Sequence, residues 1–290
     1  MSSRNNQQRL GNTDASDVNS EKETNNNQLS FSVPTEFVDL PSKGIYYPEG
    51  HPLHGVDSVE IKHMTAKEED ILASESLIRK GIAIDRMLQS LLIDNNLKVR
   101  DLLVGDKNAL TVAARISGYG SDYATKVTCP ACDTVQEFEF DLEEQTSTGA
   151  AFDREELNEK LEDVEMTKQG TFLVKLPKSG HTVELKMLTG VDEEKLEKFQ
   201  KSKAKNNNGQ STILTDTMKT ITIAVNGIDE RAQINNFVDN MPALDSRYLR
   251  GIYQQLVPNI DMTQEFSCTK CDHTQALEVP VTTDFFWPQQ

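Results

Sequence analysis

The spacing of apolar residues along this chain switches between a helical and a strand period, and the switches mark its elements. Val59, Ile61 and Met64 predict a short strand. Thr65-Ala-Lys-Glu68 follows with the form of a capping box, whose hydroxyl and carboxylate satisfy N–H groups left open at a helix start. Ile71, Leu72, Leu77 and Ile78 continue behind it, and Ile84, Leu88, Leu91 and Leu92 recur at the spacing of a second helix. Asp106 is placed to cap a third, in which Leu110, Ala113 and Ala114 share a face before Gly118-Tyr-Gly120. The period then drops to two. Tyr123 to Thr128 and Val135 to Leu142 read as strands, with Phe138 and Phe140 alternating with Glu137, Glu139 and Asp141.

Beyond a stretch rich in Thr, Gly and acidic residues the plan recurs. Phe172 to Leu176 and His181 to Met187 predict a hairpin around Lys178-Ser-Gly180. Thr189 and Asp192 open a helix holding Leu196 and Phe199, and Lys203 to Gln210 reads as an inserted loop. Leu214, Met218, Ile221 and Val225 predict a helix stopping at Asn226-Gly227. Asn240 and Pro242 open another, with Leu244, Tyr248, Leu249, Ile252 and Leu256. Phe266 to Cys271 and Gln275 to Val281 form the last pair of strands.

The same text is therefore written twice. Val38-Asp-Leu-Pro-Ser-Lys-Gly44 matches Val174-Lys-Leu-Pro-Lys-Ser-Gly180, and Val59-Glu-Ile-Lys-His-Met-Thr65 matches Val183-Glu-Leu-Lys-Met-Leu-Thr189. Each copy ends on a Cys-x-x-Cys pair. The expected fold is α+β and internally duplicated, two related lobes of helices plus a small β-ribbon. Residues 36–143 form the first repeat and 170–290 the second, with a linker at 144–169 holding a short exposed helix from Arg154 to Leu161. Residues 1–35 form a tail, and its first 30 residues are too polar to bury enough surface to order, so they are expected to be disordered.

Four cysteines, Cys129, Cys132, Cys268 and Cys271, carry the candidate chemistry. The N-terminus lacks an export signal, so paired cysteines read as metal ligands or redox centres before disulfides. Two Cys-x-x-Cys turns complete a four-thiolate zinc site with no open position, a structural site rather than a catalytic one. The gap between the pairs is far longer than in a single ribbon, as expected if each copy supplies half and one zinc per chain joins them. Three alternatives stand beside it: a thiol-redox centre at Cys129-Pro-Ala-Cys132, a mixed site using His273, or buried thiols without metal.

No other catalytic constellation, phosphate-cradling loop or small-molecule site emerges. No apolar run is long enough to cross a bilayer. A formal charge of -16 disfavours nucleic acid as a partner, and Lys198, Lys201, Lys203 and Lys205 lead into a solvated Asn/Gly-rich stretch. The aromatic run Asp284-Phe-Phe-Trp-Pro288 has two readings. Phe285, Phe286 and Trp287 either fold back onto the second lobe beside the ribbon or anchor a partner protein.

Val38-Asp-Leu-Pro-Ser-Lys-Gly-Ile-Tyr-Tyr-Pro48, Met64-Thr-Ala-Lys-Glu-Glu-Asp-Ile-Leu72 and Asp101-Leu-Leu-Val-Gly-Asp-Lys-Asn-Ala109 resemble the T-even phage baseplate family. The resemblance is best over about residues 36–142, with a weaker echo in the second lobe. It implies a non-enzymatic hub assembly protein of a contractile phage tail, with other hub or tail proteins as partners. It further implies assembly in the host cytoplasm and a place in or near the virion baseplate.

Overall fold

A computed structural model describes residues 32–148, 161, 163–206, 212–280 and 283–286. Strand β1 (Thr35–Asp39) pairs antiparallel with β2 (Ser58–Lys62), Val38 opposite Val59. β1 thus begins at the last residue assigned to the tail; residues 1–31, like most of the Arg154–Leu161 helix expected in the linker, lie outside the described residues. Between β1 and β2 the chain turns at Leu40-Pro-Ser-Lys-Gly44. Gly44 has φ 69°, and a Cβ there would lie 2.4 Å from the Leu53 carbonyl oxygen, so the turn requires glycine.

The capping box forms as expected. Thr65 and Glu68 satisfy each other's end of helix α1 (Ala66–Leu72), with the Thr65 N–H donating to Glu68 Oε2 at 2.9 Å. The chain breaks at Ser74 into α2 (Glu75–Lys80), then continues into α3 (Ala83–Leu91), which buries Met87, Leu88 and Leu91. Helix α4 (Val104–Tyr119) is the central strut, burying Leu110, Val112 and Ala114. Asp106 does not cap it. The helix starts behind Leu103, and Asp106 sits in the first turn, fully buried.

Strands β3 (Asp122–Thr128) and β4 (Val135–Asp141) form the first ribbon, Tyr123 opposite Phe140. The stretch at 144–169 contributes a strand near each end. β5 (Thr146–Thr148) pairs with β10 (Asn259–Asp261), and β6 (Val164–Met166) borders a four-stranded antiparallel sheet in the order β6-β7-β8-β9. β7 (Phe172–Lys175) and β8 (Thr182–Leu185) are the expected hairpin. β9 (Thr222–Val225) corrects the helix expected through Val225. Helix α6 (Ile213–Ile221) stops where a β-branched run begins, and that run completes the sheet against β8. Asn226 and Gly227, at φ 49° and 79°, turn the chain after the strand rather than after a helix.

Helix α5 (Gly190–Asn206) runs four residues into the expected loop, because Lys203 reaches buried Asp216 at 2.9 Å. Helix α7 (Arg231–Asp239) was not expected; Ile234, Phe237 and Val238, at i, i+3 and i+4, are its short sequence mark. Helix α8 (Ala243–Leu256) buries Leu249, Ile252 and Leu256 and leads through β10 into the second ribbon, β11 (Thr263–Ser267) and β12 (Thr274–Glu278).

One cluster of buried apolar side chains runs through this core, from Val38 and Leu110 to Val183, Leu249 and Phe286. Lys107 ties α4 to its neighbours with an ion pair to Glu193 and another to Asp85 at 3.5 Å. The closest approach in the core is at Gly105, where a Cβ would stand 1.9 Å from the Pro258 carbonyl oxygen. Backbone cannot yield as a side-chain tip can. Gly105→Ala should therefore cost about 3 kcal/mol and lower the melting temperature by about 5–10 °C in a thermal scan.

Candidate metal centre

Two tight turns bring the cysteines together. After β3, the Cys129 N–H donates to the Thr134 carbonyl at 2.9 Å; after β11, the Cys268 N–H donates to the His273 carbonyl at 2.9 Å. The residue following the second cysteine, Asp133 or Asp272, has φ 54° in both turns. These left-handed residues let the chain reverse around the thiols and re-enter as β4 and β12.

All four Sγ atoms lie within 4.8 Å of one another. The nearest sulfurs belong to opposite ribbons: Cys129 to Cys271 at 3.8 Å and Cys132 to Cys268 at 3.7 Å. A tetrahedral zinc with Zn–S near 2.3 Å has sulfur–sulfur edges of about 3.8 Å, so the donor set fits that ion in size and chemistry. The cysteines are free, with Cys129 and Cys268 buried and Cys271 exposed. His273 takes no part in the cluster; its Nε2 lies 3.3 Å from Gln275 Oε1.

The electrostatics are those of thiols competing for protons. The Thr134 hydroxyl and N–H bring Cys132 down to about 6. The Lys270 N–H lowers Cys268. At Cys271 the His273 N–H also lowers the value, but the neighbouring thiols outweigh it and push the group up to about 12. Four thiolates repel at this distance, and a divalent cation is what lets all of them ionise together. Redox dithiols commonly place the nucleophilic cysteine at a helix N-terminus, where the dipole favours the thiolate. Here a strand precedes Cys129 and another follows Cys132.

Two glutamines weld the ribbons, and sequence reasoning missed both. Gln136 on β4 donates to the Ser267 carbonyl at 3.0 Å and accepts from the Thr269 N–H at 2.9 Å. Gln264 on β11 makes the converse pair with the main chain of Asp141. Each side-chain amide stands in for a peptide group of the missing strand neighbour, and nothing in the sequence distinguishes it from a surface glutamine. Phe138 packs edge-on against Phe266, with ring centroids 5.4 Å apart, below the cluster.

The match that decides the family covers nearly the whole chain: the family described as T4 bacteriophage base plate protein matches residues 33–287. The chain belongs to that family. No match was found among curated proteins or among solved structures. This base plate protein has, among its described residues, no helix long and apolar enough to cross a membrane. Two of the patches that resemble baseplate proteins meet in space. The Ser42 N–H and hydroxyl donate to Asp106 at 3.0 and 2.6 Å, and the Tyr47 hydroxyl donates to it at 2.7 Å. Burial pushes the Asp106 carboxyl above its usual range against the lowering effect of those donors.

Phe285 and Phe286 lie in the base plate protein's own core, while Trp287 lies outside the described residues. Phe285 is seated against the first half of the chain. Phe285 packs edge-on against Tyr123, with centroids 5.2 Å apart, and its carbonyl accepts from Arg115 Nε at 2.7 Å. Arg115 is fully buried and its other nitrogens donate to the Gly120 and Asp122 carbonyls at 2.5 and 3.0 Å. The guanidinium requires acceptors where it is buried, and the Phe285 main chain supplies one. Of the lysine cluster, Lys198, Lys201 and Lys203 are paired with Glu194, Glu197 and Asp216.

Proposed function

We propose that this base plate protein is an assembly or structural component of the tail hub, without catalysis, held together by one structural zinc. The observation that carries the reading is a closed set of four thiols, drawn two by two from opposite halves of a chain of this family. A set in which four protein thiols fill every position of a tetrahedral ion suits a rivet, not a reaction. Cys129, Cys132, Cys268 and Cys271 would hold the ion, which contributes charge and cross-linking alone.

We further propose that the halves are repeats, 36–143 and 170–290, joined by the linker at 144–169. Three correspondences support the duplication. Asp106, early in α4, binds the Leu-Pro-Ser turn at Ser42, and Asp245, early in α8, accepts the N–H groups of Lys178 and Ser179 in the Leu-Pro-Lys turn at 2.7 and 2.9 Å. The Thr65–Glu68 pair has its counterpart in Thr189 Oγ donating to Asp192 at 3.1 Å. Asp133 and Asp272 share one left-handed turn.

The partners are other hub or tail proteins, assembly takes place in host cytoplasm, and the tail baseplate is the destination. Affinity capture of the tagged protein from infected cells, followed by mass spectrometry of captured chains and of purified virions, tests this reading. Capture without any tail component overturns it. Deleting residues 284–290 decides the role of Phe285, Phe286 and Trp287. With both Phe rings buried, the truncated chain should lose about 3–5 kcal/mol and melt about 10 °C lower. Unchanged melting with loss of a captured partner would make the segment an anchor instead.

A further inference from the structure

A groove of about 330 Å³ runs between β1 and the segment at Gln145 to Ser147. Its floor is apolar, made by Ala109, Ala113 and Ile116 of α4. One wall is a strand edge that has no neighbouring strand among the described residues. β1 pairs with β2 alone, and the bonds Leu40 N–H to Asp57 O (2.7 Å) and His63 N–H to Pro34 O (2.9 Å) fix which residues face β2. In an antiparallel ladder these alternate, so Phe37 and Asp39 turn their N–H and C=O groups away from β2, to the open side.

Two further observations say what would lie there. Glu36 and Gln145 both line the groove, and neither Oε1 accepts a hydrogen bond; these two atoms are covered, but the Glu36 side chain as a whole is 32% exposed, so its carboxylate is open to a donor entering the groove. The imidazole Nε2 of His63 lies 3.9 Å from Glu36 Oε1, beyond hydrogen-bonding reach. Buried acceptors without donors are costly, and a carboxylate oxygen among them calls for a charged donor. Phe37 stands at the rim, 71% exposed, beside a groove whose acidic residues are Glu36 and Asp39.

We propose that this groove receives an extended segment of another protein as an added strand, with a lysine or arginine side chain reaching Glu36 and Gln145. Main-chain bonds to Phe37 and Asp39 would give affinity, the buried acceptors would select the basic residue, and Phe37 would cover the strand. The hub-assembly reading enters only in naming the source of the segment, a tail protein.

The test uses the full-length protein and two end-blocked heptapeptides of alternating Thr and Val, one with Lys and one with Glu at the centre. Amide exchange is followed by NMR during titration. The Lys peptide should slow exchange at Phe37 and Asp39 by about tenfold and bind about tenfold more tightly than the Glu peptide. Glu36→Gln should remove that preference. Phe37→Pro deletes an N–H that β2 does not use, and should abolish binding; Phe37→Ala keeps the N–H and should only weaken it. Both variants are first checked for unchanged melting. Absence of protection at millimolar peptide, or equal binding by Phe37→Pro, overturns the proposal. So do Phe37 and Asp39 amides already slow in the free protein, which would mean that another part of the chain covers the edge. These outcomes leave hub assembly untouched, since capture from infected cells decides it separately.

Discussion

Cys129→Ser and Cys268→Ser should each release the metal and loosen both ribbons together. The thiols are crossed between halves, Cys129 beside Cys271 and Cys132 beside Cys268, so neither Cys-x-x-Cys pair alone could enclose an ion. Structural zinc contributes apparent binding free energies of about 10–16 kcal/mol in small domains. Losing one thiolate forfeits enough of this to lower the melting temperature by well over about 10 °C. Elemental analysis of wild-type protein purified reduced and without chelator should give one zinc per chain, and either variant much less than one. Hydrogen exchange supplies the sharper arm. Faster exchange in β3–β4 and β11–β12 alike is expected from either substitution. Exchange confined to the mutated ribbon would mean two separate sites, and a metal-free wild type would end the zinc reading.

Asp106→Ala should be the most damaging substitution away from the cysteines. It strands the Ser42 N–H, the Ser42 hydroxyl and the Tyr47 hydroxyl in a buried site. Each buried donor left open costs about 1–3 kcal/mol, and since the three share one pocket the total should be about 4 kcal/mol, or about 10 °C in melting. Asp245→Ala strands two N–H groups in a more open turn and should cost about half as much. Asp106 also gives the loss a pH signature. Its folded value is raised by burial, so its titration contributes stability fully below the ordinary carboxylate value, and that contribution is lost as pH rises through the raised one. The gap between wild type and Asp106→Ala should therefore widen on acidification from neutral pH. A gap that narrows would mean the donors, not burial, dominate the carboxyl.

Local chemistry was legible in the sequence wherever it is self-contained. Thr65 and Glu68 cap a helix through atoms three residues apart, and the alternation around Phe138 and Phe140 states its own strand. The cysteine cluster was legible because thiols in that spacing have few other uses. What failed depended on distant partners. Thr222 to Val225 continues a helical apolar spacing, but β8 offers it an open edge, and pairing there overrides the helix. Asp106 reads as a cap in the sequence because its actual acceptor role depends on Ser42, 64 positions away. Gln136 and Gln264 carried no signal at all, since an amide that bridges ribbons and one that faces water are written with the same letter.

The crossed thiols also set an order of events during synthesis. Cys129 and Cys271 lie 142 positions apart along the chain. At about 5–20 residues per second, the first ribbon leaves the ribosome on the order of ten seconds before its complement exists. Through that interval it offers two thiols, an unpaired Gln136 and the bare face of Phe138. If the cluster holds zinc as proposed, its four-thiol set is complete only on a chain translated past Cys271, and capture of the ion would be a late step. A nascent chain stalled before the second ribbon would keep its first pair of thiols open to oxidants and to competing metal binders.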